Sequence, residues 1–156
     1  TAALDAMTAS IAALTGRTIT GGGLVTGGGN LSANRVLTVT AATAAELLAA
    51  SEAGKAVTPA AFGALTRLRS GTGYEYLPGG LILQWGAATA TGDASTTITF
   101  PVTFPNACFY ANVAGGKDAD SSQQDNSVAA VEWAASYFRI YNANQGESVR
   151  WFAVGY

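Results

Sequence analysis

TTITFPVTF, residues 96–104, sets the fold class of this chain. Ile98, Phe100, Val102 and Phe104 alternate with Thr97, Thr99, Pro101 and Thr103, a strict period of two that places apolar side chains on one face of a strand and hydroxyls on the other. Pro101 cannot donate a ladder hydrogen bond, so this run predicts an edge strand or a bulge. Outward from it the pattern repeats. LILQW sets Leu81, Leu83 and Trp85 on a common face, ACFYANV follows the Pro105–Asn106 turn, VAAVEW and SYFRIY lie two or three residues apart, and VRWFAVGY runs to Tyr156. Trp151, Phe152, Val154 and Tyr156 would be costly in water, at roughly 25 cal/mol per Å² of apolar surface, so the last run reads as a paired, buried strand. Two polar loops interrupt the series, GGKDADSSQQDN and NANQGES. From residue 81 onward the chain reads as all β.

The first half has another character. TAALDAMTASIAALTG spaces Leu4, Met7, Ile11 and Leu14 by 3, 4 and 3, the seam of a short coiled coil, with Gly16 as its C-terminal cap. Two heptads are too short to hold a helix alone in water, so this one needs partners. ITGGGLVTGGGNLSANRVLTVT, residues 19–40, carries two glycine triplets ahead of an alternating run in which Leu37 and Val39 face one way. TAAELLAASEAGK opens on a capping box, Thr43 with Glu46, and its helix is expected to stop at Gly54. Thr58–Pro59 starts a second helix running through Phe62 and Leu65 to Arg67 or Arg69. SGTGYEYLPGG is rich in turn formers. The expected organisation is therefore a coiled-coil-like helix (1–17), a glycine-rich β segment (18–42), two short helices (43–70), a linker (71–80) and a β-rich domain (81–156).

Composition removes several function classes. The glycine triplets lack the lysine of a phosphate loop, since Gly28, Gly29, Asn30 and Leu31 follow Gly27, and no helical pattern continues them as a dinucleotide fingerprint demands. A net charge of −2 with no basic run argues against nucleic acid as a partner. Histidine is absent, so triads and metal centres built on imidazole are excluded; the single Cys108, inside an alternating run, reads as a small buried hydrophobe. No segment reaches the ~18 apolar residues of a membrane span, and no cofactor is expected. Hydrophobic residues make up 49% but alanine and glycine dominate residues 1–70. Each buries little area, so a core there has to come from self-association.

The order of elements resembles the distal, receptor-binding ends of tail fibres from tailed bacteriophages, prophages and phage-tail-like particles. The residues that carry the likeness are ITGGGLVTGGGNLSANRVLTV, ATAAELLAA, GKAVTPAAF, LPGGLILQWG, ITFPVTFPNACF and WFAVGY, which together span nearly the whole chain. The resemblance implies a mainly β homotrimer with short N-terminal helices, an interwoven shaft and an antiparallel β-sandwich-like tip. It further implies a place at the distal end of a virion's tail fibre, acting outside the cell, with an upstream fibre segment and a host surface polysaccharide or outer-membrane receptor as partners. Trimer-core candidates are Leu4, Met7, Ile11 and Leu14 in the helix, and Leu24, Leu31, Leu37 and Val39 in the shaft. Some fibre tips hold iron through histidines, which this chain lacks.

Sugars are held by aromatic faces and planar polar groups on loops over a rigid scaffold. Trp85, Trp133 and Trp151 sit in alternating strands where packing is the expected role, with Trp133 kept as a binding candidate. Tyr110, Tyr137 and Tyr141 are expected to be exposed because Phe109, Phe138 and Ile140 take the buried faces. The first polar loop offers Asp118, Asp120, Gln123, Gln124 and Asp125; the second offers Asn144 and Gln145. Asp118 and Asp120 lack the rest of a calcium-loop pattern, and nothing sets two carboxylates across a cleft at the roughly 5–10 Å a glycosidase needs. Three readings stand: a non-enzymatic receptor-binding tip, a glycan-cleaving tailspike fragment, and a trimeric adhesin or structural stalk.

Overall fold

A computed structural model describes residues 1–91, 95–115, 128–141 and 145–156, and divides the chain into two compact units, Thr1–Leu47 with Ser51–Gly63 and Leu48–Ala50 with Ala64–Tyr156.

The first unit opens on α1 (Ala2–Thr15), which ends where the Gly16 N–H donates to the Ala12 carbonyl at 3.0 Å. No residue of α1 is buried, and the whole Leu4–Met7–Ile11–Leu14 seam is more than half exposed in the single chain. β1 (Thr18–Thr20), β2 (Val25–Asn30) and β3 (Leu37–Val39) form an antiparallel meander in the order β1-β2-β3. Leu24, Leu31, Leu37 and Val39 are also exposed. α2 (Ala44–Ala49) has the expected capping box: the Thr43 N–H donates to Glu46 Oε2 at 2.9 Å and the Glu46 N–H to Thr43 Oγ1 at 3.3 Å. The helix stops at Ala49 rather than near Gly54, because Ala50 turns to φ 50° and the returning chain bonds alongside residues 40–42, Ala42 N–H to the Ala56 carbonyl and Ala56 N–H to the Thr40 carbonyl. α3 (Pro59–Gly63), capped by Thr58 Oγ1, is likewise shorter than expected.

Lys55 donates to Glu46, and this bond, with the Thr43 N–H, holds the Glu46 carboxyl at about 2, against an ordinary 4.5. A lowered carboxylate value means the contribution is present above the unfolded value and fades as pH falls from about 4.5 to about 2. Carboxyl-detected titration is expected to place the Glu46 midpoint near 2, with Thr43 amide protection lost over the same interval; a midpoint at the ordinary value would break the pairing.

The second unit contains β4 (Arg67–Leu68), β5 (Gly73–Tyr76), β6 (Ile82–Thr91), β7 (Thr96–Thr99), β8 (Cys108–Gly115), β9 (Ala129–Trp133), β10 (Tyr137–Tyr141) and β11 (Gln145–Gly155). Two antiparallel sheets result, β4-β5-β6-β11-β8 and β7-β10-β9. Two expectations fail at its entrance. Arg67 and Arg69 do not end a helix; Gly63 closes α3, and both arginines instead reach Glu75, at 3.8 and 2.8 Å. Residues 71–80 are not a plain linker, since their turn formers bracket β5, which pairs with both β4 and β6.

The core between the sheets takes Ile98, Phe100 and Phe104 from the opening stretch, with Phe138, Ile140, Val149 and Trp151. Pro101 acts as a strand breaker: β7, an edge strand, ends at Thr99. The chain beyond it is caught by Gln84, fully buried, whose amide gives Nε2 to the Val102 carbonyl at 2.7 Å and takes the Val102 N–H at 3.0 Å. A buried primary amide thus replaces the strand partner that residue 102 lacks. In β6 the fully buried face is Ile82 and Gln84, while Leu81, Leu83 and Trp85 are half-buried. Cys108 is buried, and burial pushes its thiol up.

Candidate functional site

β11 lies between β6 and β8, and cross-strand partners share a face of the sheet. Val149, Trp151 and Ala153 point into the core, so Arg150, Phe152 and Val154 point out. Phe152, expected to be buried, is 43% exposed and Tyr156 is 45% exposed. From Ser148 to Gly155 the C-terminal strand is paired with β6 but buries one face only. Register then builds rows across the outer face: Trp85, Phe152 and Asn112 in one, Leu83, Val154 and Tyr110 in the next.

A bulge in β8 decides which aromatics meet water. Val154 pairs with Tyr110 and Gly155 with Cys108, so Phe109 is the extra residue and the alternation changes phase there. Phe109 and Tyr110 consequently both face out, at 55% and 51% exposure. The expectation that Phe109 is buried therefore fails, although Tyr110 is exposed as expected. Phe109 stacks on Tyr156 with ring centroids 4.9 Å apart, and the Tyr156 carbonyl accepts from the N–H groups of Asn106 and Ala107.

Tyr110 on β8 meets Trp133 on β9 edge to face, centroids 6.2 Å apart. Trp133 pairs with the buried Phe138 and so lies on the inner face of its sheet, yet β9 is an edge strand and leaves the indole 41% exposed. Two candidates from different sheets are thereby brought together into an accessible aromatic pair. Tyr137 is half-buried rather than exposed; its hydroxyl donates to Glu132 Oε1 at 2.9 Å, and that carboxylate, which also takes Arg139 at 3.2 Å, pushes the phenol up. Tyr141 is exposed. Trp151 belongs to the core. Asp118, Asp120, Gln123, Gln124, Asp125 and Asn144 lie outside the described residues, and Gln145 opens β11.

Asn112, Arg150 and Phe152 were not singled out from sequence. They line a depression of about 210 Å³ together with Val113, Ala114 and Trp151. The signal was available: in VRWFAVGY the arginine fixes the outward phase, which puts Phe152, two residues on, on the same face.

The first unit thus carries an exposed helix seam and a glycine-rich meander, and the second a two-sheet β module with aromatic side chains on its surface. The model of the C-terminal region of putative gp53-like tail fibre proteins matches residues 76–156, and the chain belongs to that family. Among solved structures it is similar to the R2 pyocin fibre of P. aeruginosa, 27% identical over 69% of this chain and 32% of that one, with a TM-score of 0.53. An N-truncated R1-type pyocin tail fibre is 26% identical over 65% of this chain and 98% of its own, with a TM-score of 0.52. An N-truncated R2-type pyocin tail fibre, 24% identical over 76% of this chain and 49% of its own, shares the fold at a TM-score of 0.53. The chain thus spans about a third of the longer R2 fibre structure. No curated protein matches it.

Proposed function

We propose that this chain is the receptor-binding tip of a phage or phage-tail-like fibre, which attaches its particle to a bacterial surface glycan without cleaving it. Membership of the tail-fibre family supports attachment as the task. The observation that carries the glycan reading is the Tyr110–Trp133 pair, two half-exposed aromatic side chains set edge to face on edge strands of two sheets. Aromatic faces of this kind hold the C–H side of a sugar, and rigid strands limit the entropy lost on binding. The active form is a homotrimer continuing an upstream fibre segment at the distal end of the virion tail. Leu4, Met7, Ile11 and Leu14 support that reading, because a seam open along α1 is satisfied by the same seam of sister copies. Light scattering on the intact chain is expected to give a mass of three times 15.8 kDa.

The binding prediction is separate. The double variant Tyr110→Ala/Trp133→Ala should bind host cells at least about tenfold more weakly, the loss expected for truncating an aromatic anchor, with an unchanged circular dichroism spectrum. Undiminished binding would remove the pair from the receptor site. Incubation with host polysaccharide should release no new reducing ends; release would favour a depolymerase.

A further inference from the structure

The outer face of the five-stranded sheet is hollow beside Phe152. Register sets Arg150 beside Ala114 and Phe152 beside Asn112 on the adjoining strands β11 and β8, and these four residues line a hollow there together with Val113 and Trp151. The resulting depression of about 210 Å³ is smaller than the roughly 300–1,000 Å³ typical of sites for drug-sized ligands, a size suited to a single ring.

Three groups around it are chemically complementary to one kind of ligand. Arg150 forms no ion pair with any described residue. The Asn112 Oδ1 accepts the Val113 N–H at 2.8 Å, which fixes the amide and leaves its NH2 group to donate. Phe152 supplies a partly exposed ring face. We infer that this depression binds one anionic sugar residue of a surface glycan: the carboxylate or phosphate on Arg150, a hydroxyl on the Asn112 amide, and the apolar ring face on Phe152. The inference rests on the glycan-binding reading above. A guanidinium offers a planar pair of donors that matches either anion, whereas a neutral sugar would forgo these charge-assisted bonds. The attraction is local, since the chain as a whole carries a net charge of −2. A sister copy laid on this face would have to bring an acid to Arg150. Glu75, which shares the outer face through its pairing with Leu83, is already engaged by Arg69 at 2.8 Å.

The test uses the intact ¹⁵N-labelled chain, titrated separately with glucuronate, glucose 6-phosphate and glucose. Saturable shifts of the Asn112 side-chain amide and the Arg150 Nε resonance are expected with at least one of the two anionic sugars and not with glucose at the same concentration. The tighter of the two identifies the anion as carboxylate or phosphate. Arg150→Gln, an exposed substitution that leaves the backbone spectrum elsewhere unchanged, should weaken the anionic probe at least about tenfold, as for loss of a charge-assisted hydrogen bond. Equal shifts with glucose, no shift with any probe, or unchanged affinity in Arg150→Gln would each overturn the site. Host-cell binding by the unaltered chain separates the two levels: if it persists without a sugar response at Arg150, only this site falls, and if it is absent, the receptor-binding reading falls with it.

Discussion

Phe138→Ala is expected to destabilise the C-terminal unit by about 3–5 kcal/mol, the range for deleting a buried aromatic ring. Phe138 is fully buried on β10, the central strand of the three-stranded sheet. Its ring stacks on Phe100 at 5.6 Å and meets Trp151 at 5.6 Å, while Phe100 in turn packs edge-on against Phe104 at 5.0 Å. One side chain therefore joins the opening stretch to the C-terminal strand, and its removal leaves a void bounded by rings that rigid strands keep from closing in. Because a domain's whole stability is only about 5–15 kcal/mol, the variant should lose from about a fifth to all of it. Urea unfolding followed by tryptophan fluorescence measures the difference directly. Tyr141→Ala, exposed on the same strand, is the comparison and should change stability by less than about 0.5 kcal/mol. A loss below about 1 kcal/mol at Phe138 would mean that the two sheets are not packed around it.

The alternation that revealed the β unit was legible because one buried face imposes a period of two on Ile98, Phe100 and Phe104, whatever the partner strands are. Its limits have physical causes. Pro101 stops β7, yet Phe104 still reaches the core because Gln84 supplies the missing ladder bonds, and a glutamine inside LILQW looks like any polar residue until its partner is known. The Phe109 bulge shifts the phase of β8 by one residue, and a single extra residue leaves no mark on composition. Helix lengths failed at Ala50 and Gly63 for a related reason: the chain leaves α2 to bond with residues 40–42, a tertiary demand that overrides local helix preference. For the site, exposure of Tyr110 and Tyr141 could be read from alternation, whereas the meeting of Tyr110 with Trp133 could not, since they belong to different sheets and only the folded arrangement makes them neighbours. Arg150 and Phe152 were readable and were missed because the bulk of WFAVGY suggested burial on both faces.

The glycine triplets are explained within the single chain. At Gly28 the backbone takes φ 125°, and a Cβ there would sit 2.2 Å from the Ile19 carbonyl oxygen of the neighbouring strand; at Gly27, with φ 98°, it would sit 2.3 Å from the Val36 carbonyl oxygen. Both obstacles are backbone atoms of the same chain, so no side-chain rotation relieves them. With these backbone angles a Cβ on β2 would point into the neighbouring backbone of Ile19 or Val36, so only glycine fits. Gly28→Ala should destabilise the β1–β2 pairing by about 3 kcal/mol or more, combining a sparsely populated backbone region with a hard contact. Gly22→Ala is the matched control, because nothing lies within 4 Å of a Cβ at that position. Hydrogen exchange on the intact chain discriminates the two: in Gly28→Ala the hydrogen-bonded amides of β1 and β2 should exchange at unprotected rates while those of β6 and β11 keep their protection, and Gly22→Ala should leave both sets as they were. A three-stranded meander in which no strand residue is buried is marginal by itself, so its loss should also lower the solution mass if this unit helps to hold the copies together. Retained protection in Gly28→Ala would show that the meander tolerates a side chain there, and the purpose of the triplet would then have to lie between chains rather than within one.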